Sequence, residues 1–203
     1  SNRILIHGIH QALVSAGMDP EIVQFIDDPD RLLVEELLKM YKYVDMLIPR
    51  GGAGLHRYCR ENSTIPVITG GIGICHLFVD ESVQQDRSLA IIRNAKIQRP
   101  TVCNALDTVL VHEKIAEEFL PNLVQTLAKD GVSFRVCAQS HNLLKAEHIA
   151  AGAKLAQAGD FDTEWLSLVL GIKIVDGIDS AIKHIAEHST GHSDGILTEN
   201  ERH

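Results

Sequence analysis

The chain has 203 residues, of which 45% are hydrophobic and 23% charged, and its formal net charge is −8 at pH 7. That length builds one large or two small domains with a real core, and the acidic balance argues against nucleic acid as the main partner, which would call for a basic patch. No apolar run approaches the roughly 20 residues needed to span a bilayer, and no signal peptide is visible.

The chain opens with an amphipathic helical pattern over 4–16, with Ile4, Leu5, Ile9, Leu13 and Val14 on one side. Gly17 is its expected stop. Residues 22–26 read as a short strand. Asp28 and Pro29 predict the cap and first turn of a second helix, with Leu32, Leu33, Leu37 and Met40 toward the core. A strand over 44–48, a helix over 52–60 and a strand over 65–68 follow. This alternation is the signature of βαβ units around a parallel sheet. The second region repeats it. Helices are expected over 83–95, 115–128, an Ala-rich 146–157, and 178–188. Strands are expected over 108–112, 132–137, 172–175 and 196–197.

Four cysteines, Cys59, Cys75, Cys103 and Cys137, are spread singly with no CxxC pair, a usage that predicts reduced thiols in a cytoplasmic protein. The rest of the sequence is organised around residues 94–105. A helical pattern running in from Ser82 meets Pro100, which has no N–H to donate and disfavours helix in the residue before it. Cys103 sits just past that break, with Lys96 and Arg99 on one side and the side-chain amide of Asn104 on the other. Positive charge favours thiolate over thiol, and the thiolate is the nucleophile. On the residues alone Cys103 is either such a nucleophile or a small buried cysteine of the common kind.

Pro49-Arg50-Gly51-Gly52-Ala53-Gly54 leaves a strand and opens a helix. Glycines let backbone approach a phosphate, and a helix N-terminus offers unpaired N–H groups. A tight turn without a ligand accounts for the pattern equally well, and it is neither a GxGxxG fingerprint nor a P-loop. Gly70, Gly71 and Gly73 mark a place where backbone passes close to a ligand or another chain. His184, His188 and His192 recur four apart, but no HExxH is present and Thr190-Gly191 ends the helix before His192, so no metal is expected. His184 and His188 read as a surface helix face, and His76 and His112 as structural.

The 94–105 segment resembles the catalytic-cysteine signature of the gamma-glutamyl phosphate reductase (glutamate-5-semialdehyde dehydrogenase) family, within the aldehyde dehydrogenase superfamily. Three further blocks resemble the same family in the same order: Asp45 through Leu55, Pro66 through His76, and His188 through Ser193. The resemblance spans essentially the whole chain and corresponds to the middle of a longer polypeptide. It implies an aldehyde dehydrogenase-like α/β fold. Residues 1–80 would be the C-terminal half of a Rossmann-like NADP-binding domain and 81–203 an α/β catalytic domain, with the boundary near 78–82.

The resemblance also implies an activity: NADPH-dependent reduction of L-glutamyl 5-phosphate to L-glutamate 5-semialdehyde, with release of phosphate, in L-proline biosynthesis. Cys103, beside Asn104, takes the catalytic position and forms a thioester. NADP(H) is expected against Pro49, Arg50, Gly51, Gly52 and Gly54, with Gly70 and Gly71 assigned to the same ligand and Glu164 to the nicotinamide ribose. Lys96 and Arg99 are placed on the departing phosphate by charge and proximity. His192 and Ser193 resemble a segment near the substrate. The oxyanion donor is sought in the Cys103 backbone N–H, because the superfamily's side-chain amide belongs to a segment that would precede Ser1.

Hydrolytic aldehyde dehydrogenases carry a water-activating glutamate before the turn matching Gly70. Here Val67-Ile68-Thr69 stands there, which suits a phosphate-releasing reductase. It disfavours the alternative of an NAD(P)-dependent dehydrogenase oxidising a small aldehyde. A further alternative is an inactive module that only assembles with a partner. The family also implies a homodimer or higher homo-oligomer, a possible association with glutamate 5-kinase, and no membrane.

Overall fold

The structure, a computed structural model, describes residues 2–203. The chain divides into two compact units, the first ending at Gly70 and the second running Gly71–His203. The division lies earlier than the expected boundary near 78–82, because the strand that contains Phe78 pairs inside the second unit's sheet.

The first unit holds three helices, α1 (Asn2–Ser15), α2 (Leu32–Leu37) and α3 (Ala53–Asn62). The strand expected over 22–26 does not form. Asp19 caps a 3-10 turn at Pro20–Ile22 by accepting the Glu21 N–H, and the chain leaves it without a ladder partner. Helix α2 begins at Leu32 rather than at Pro29. The side chains of Asp28 and Asp30 accept the N–H groups of Asp30 and Leu32 in turn, which holds this stretch in consecutive Asx turns. The strands expected over 44–48 and 65–68 reduce to one parallel bridge between Leu47 and Val67. Pro49 and Pro66 flank that bridge and have no N–H to extend it. The helix expected over 4–16 forms, but none of its residues is buried, and Ile4, Leu5 and Val14 stand exposed.

The second unit is a six-stranded, all-parallel sheet. Its strands are β1 (His76–Val79), β2 (Thr108–His112), β3 (Ser133–Val136), β4 (Ala153–Leu155), β5 (Val169–Val175) and β6 (Asp194–Leu197), in the order β4-β3-β5-β2-β1-β6. Every residue of β2 is buried, as an apolar strand between two helical layers must be. The connections from β1 to β4 step toward one edge through α4 (Gln85–Ile97), α5 (Glu113–Ala128), α6 (Ala138–Leu143) and α7 (Ala146–Ala150). The connection from β5 to β6 runs back to the other edge through α8 (Ile178–His188). Right-handed crossovers in opposite directions put helices on opposite faces. Accordingly Phe119, Leu123 and Leu127 of α5 pack with Ile92 of α4 in the larger core, and Ala181 of α8 packs with Phe78, Leu110 and Val175 in a second.

The Ala-rich helix expected over 146–157 stops at Ala150. Gly152 follows with φ of +106°, a conformation that ends a helix and that side chains resist. Ala153–Leu155 then pairs with β3 as an edge strand.

At the carboxyl end of β1, fully buried Asp80 accepts hydrogen bonds from Thr198 Oγ1 (2.7 Å) and Ser82 Oγ (2.9 Å), fastening edge strand β6. Burial opposes the charge, but those bonds, with His203 beside them, hold the carboxyl down at about 2 against an ordinary 3.8. A carboxyl depressed by folding contributes stability above its unfolded value and loses it as pH falls through its folded value. Asp80→Asn is therefore expected to flatten the acid limb of the stability curve between pH 3.8 and about 2, as read by urea unfolding at stepped pH. An unchanged acid limb would refute the assignment.

Candidate active site at the amino edge of the sheet

Helix α4 ends at Ile97, and residues 98–107 fold back over its last turn. Leu106 N–H donates to Ala95 O at 3.1 Å. Pro100 sits in the turn after the helix, and Ala105 N–H closes a second turn onto Val102 O at 3.0 Å. Cys103 and Asn104 are the two central residues of that second turn, and both are exposed. The thiol is thus presented by a tight, hydrogen-bonded turn, and Arg99 is exposed on the approach to it.

Lys96 lies elsewhere than the sequence predicted. It is fully buried, and its Nζ donates to Leu106 O at 2.8 Å. Burial pulls its ammonium down to about 8, with the Asp107 charge opposing. Its direct work is to staple the end of α4 to the chain entering β2.

Asp107 is a buried residue of the site that sequence reasoning did not single out. It is 2% exposed. Its Oδ2 accepts the Cys75 N–H at 3.2 Å and its Oδ1 accepts the Trp165 N–H at 3.0 Å. Burial pushes this carboxyl up, while the two N–H groups and Lys96 pull it back.

Gly73 makes the close backbone approach expected of this glycine cluster. Its N–H donates to Glu164 Oε1 at 3.1 Å. A Cβ built on it would stand 2.2 Å from the Cys103 carbonyl oxygen, so only glycine lets the two backbones touch. His192 and Ser193 lead into β6, with His192 Nδ1 2.9 Å from Ser193 Oγ and 3.9 Å from Cys75 Sγ. Gly73 and Cys75 before β1, Cys103 and Asp107 before β2, Glu164 before β5, and His192 and Ser193 before β6 therefore gather at the amino ends of four neighbouring strands.

In the first unit, Gly52 caps α3 through its backbone in extended conformation, and no side chain caps this helix. Its amino-end N–H groups suit an anion. Gly51 and Gly52 border a cavity of about 550 Å³ that Arg31, Leu55 and Tyr58 also line. The His56 ring nitrogen Nε2 lies 3.1 Å from Gly51 O and braces the loop. Pro49 and Arg50 lead into the same loop, and Arg50, Gly54 and Gly70 are exposed in this unit, as is Gly71 in the second. The cavity beside this uncapped helix end carries both a guanidinium, Arg31, and a carboxylate, Glu35, on its wall.

The histidines depart from expectation. His184 is buried, not on a surface face. Burial and the charge of Lys173 hold its imidazole down at about 3, and Nδ1 lies 3.1 Å from Lys173 Nζ. Its ring centroid is 4.3 Å from that of His188, whose Nδ1 meets Asp162 Oδ1 at 2.6 Å. Among the described residues no three metal-ligating side chains converge. His112 caps α5 by accepting the Lys114 N–H at 3.2 Å.

The parallel α/β sheet with its covering helices is an aldehyde dehydrogenase-like fold. An acetylating aldehyde dehydrogenase from Geobacillus thermoglucosidasius shares the fold, with a TM-score of 0.69 at 23% identity over 95% of this chain and 50% of its own. In sequence, the chain resembles gamma-glutamyl phosphate reductase over nearly its whole length. It is 57% identical to that of Psychromonas ingrahamii over 198 residues, 98% of this chain and 46% of the relative, and 54% identical to that of Cronobacter sakazakii over 203 residues, 48% of the relative. The crystal structure of gamma-glutamyl phosphate reductase from Thermotoga maritima superposes with a TM-score of 0.86 at 43% identity, covering 99% of this chain and 47% of that one. The chain thus spans about half the length of the curated relatives it matches. No protein-family model matches it.

The Gly73 contact yields a direct test. Gly73→Ala is expected to destabilise the protein by about 1–3 kcal/mol, the usual range for an overpacked site, and to slow alkylation of Cys103. Gly71→Ala, where a Cβ meets nothing within 4 Å, serves as control in urea unfolding and thiol-labelling assays. Equal behaviour of the two variants would show that the contact at Gly73 is dispensable.

Proposed function

We propose that this chain is the middle part of an NADP(H)-dependent reductase that converts L-glutamyl 5-phosphate to L-glutamate 5-semialdehyde in L-proline biosynthesis. The observation that carries the reading is the exposed Cys103 in its hydrogen-bonded turn, in a chain 57% identical to a gamma-glutamyl phosphate reductase. In this reading the Cys103 thiolate attacks the acyl carbon, phosphate leaves with the C–O bonding electrons, and a thioester remains. NADPH, when bound, supplies the hydride that reduces the thioester. The resulting hemithioacetal collapses to the aldehyde and returns the thiolate.

The turn amides are the nearest candidates for stabilising the oxyanion. The N–H groups of Cys103 and Asn104 are not the donors that close the turn, and Asn104 adds an exposed side-chain amide beside them. Arg99 remains a candidate for the departing phosphate, as do His192 and Ser193 for the substrate. Buried Lys96 is better read as support for the turn. Glu164 engages the Gly73 N–H, and contact with the nicotinamide ribose would use its other carboxylate oxygen. The cofactor's phosphates are assigned to the loop from Pro49 to Gly54. We read residues before the 70–71 division as the nucleotide-binding half and those after it as catalytic. Among the described residues no helix is long and apolar enough to cross a membrane. Four free thiols suit a cytoplasmic setting, with homo-oligomerisation and a glutamate 5-kinase partner completing the proposal.

In the full-length protein, Cys103→Ala is expected to abolish nearly all NADP-linked, phosphate-dependent oxidation of the semialdehyde while nucleotide binding persists. Of the four thiols Cys103 should be alkylated first, since Cys59 and Cys75 are buried and Cys137 is half-buried. Retained turnover in that variant would overturn the mechanism. For the cofactor loop, Gly52→Val adds a side chain where its Cβ meets nothing within 4 Å. It should raise the KM for NADPH several-fold more than that for the acyl phosphate, and equal changes in both would remove the loop from the cofactor site.

A further inference from the structure

The Cys103 carbonyl oxygen is enclosed on two sides. On one side the Gly73 backbone approaches so closely that a Cβ there would stand 2.2 Å away. On the other is the thiol of Cys75, with Sγ 3.2 Å from the same oxygen. Cys75 is 2% exposed and its backbone is held firmly. Its N–H donates to Asp107 Oδ2 at 3.2 Å, and its carbonyl accepts the N–H groups of both Asp107 and Thr108 at 3.1 Å. The Cα that carries the sulfur is therefore pinned. A thiol has one proton to donate, and the other carbonyl within reach, that of Gly73, is farther at 3.5 Å.

We propose that Cys75 is a positioning residue for the Cys103 nucleophile, its buried S–H donating to the Cys103 carbonyl and so fixing the peptide plane between Cys103 and Asn104. The inference rests on reading Cys103 as the nucleophile. Rotating that plane would swing the Asn104 N–H and change the backbone torsion of Cys103, on which the rotamer of its thiol depends. A misplacement of about 1 Å at a reacting group costs on the order of a hundredfold in rate. Burial, then the charge of Asp107, pushes the Cys75 thiol up to about 11. It stays a protonated donor over the range in which an ordinary thiol near 8.5 ionises, and it does not compete as a second nucleophile. A cysteine that merely filled space would need no donor, so the proton separates the two roles.

The test uses the full-length enzyme with Cys75→Val, which fills the sulfur's space without a donor, and Cys75→Ser, which keeps a hydroxyl donor. Cys103→Ala runs in parallel. Two quantities are read: kcat and KM for the acyl phosphate, and the pH profile of Cys103 alkylation by iodoacetamide, followed at that residue by mass spectrometry. Cys75→Val is expected to lower kcat and the high-pH plateau of alkylation by about tenfold or more, with KM within about twofold. Cys75→Ser should recover most of both. A Cys75→Val enzyme with wild-type kcat and plateau overturns the inference, and so does a Cys75→Ser enzyme no better than the valine variant. Should the valine variant fail to fold, Cys75→Ala is read in its place against the serine. An active Cys103→Ala enzyme would instead defeat the nucleophile reading. An inactive one beside an unimpaired Cys75→Val defeats only the role of Cys75.

Discussion

The buried carboxylate of Asp107 is the interaction on which the second unit's amino edge depends. A carboxylate taken out of water is unfavourable unless its oxygens are satisfied. Here one oxygen accepts from Cys75 and the other from Trp165, while the residue's own carbonyl accepts the Gly171 N–H at 2.8 Å. One side chain thereby locks together the chain entering β1, the chain entering β2 and the segment before β5. Lys96 completes the arrangement from α4, close enough to pull the Asp107 carboxyl down, while its ammonium holds Leu106 O. The Cys103 turn lies between these two buried charges in sequence, and both of its ends are fixed by them.

This arrangement puts the candidate site on an unusual edge. Open α/β sheets generally bind ligands beyond the carboxyl ends of their strands. Here Cys103, Gly73, Glu164 and His192 all precede strands. The carboxyl edge carries structural fastenings instead, Asp80 with Thr198 and Ser82, and His112 capping α5. Chain entering a strand can be held by ladder hydrogen bonds on one side and by a buried carboxylate on the other. A thiol that must keep its geometry without a helix dipole behind it gains rigidity from that placement.

What could be read in the sequence tracks how strongly local pattern and tertiary context agree. Strand β2 and helix α8 stand where periodicity put them, because their apolar runs are also their buried faces. The strands expected in the first unit were apolar enough, but Asp19, Pro20, Pro49 and Pro66 withdrew the backbone groups a ladder needs. The Ala-rich stretch was helical by propensity until Gly152 turned the chain into β4. At the site, the cysteine turn was visible through Pro100, and the glycines near residue 73 announced a close approach. Lys96 was placed on the departing phosphate by its charge and its proximity to Cys103, but sequence proximity says nothing about which face of α4 it occupies, and it is buried. Its spacing from Ile92 and Ser88, all buried, was the clue. Asp107 and Cys75 were silent because their importance lies in partners far along the chain.

Those distances bear on how the molecule comes together. The bonds that hold the site join residues 32 positions apart at Cys75 and Asp107, 58 at Asp107 and Trp165, 91 at Gly73 and Glu164, and 116 at Ile74 and Thr190. Helices α4 and α5 need no such long closures. Pairings between distant segments require loop-closure entropy to be overcome before they return any stability, and they slow folding. The Cys103 turn is therefore among the last features of the second unit to be secured. During refolding, helical signal would return well before Cys103 acquires its native reactivity. In that interval Cys75, destined for the interior, is as open to oxidants as the thiol it later supports.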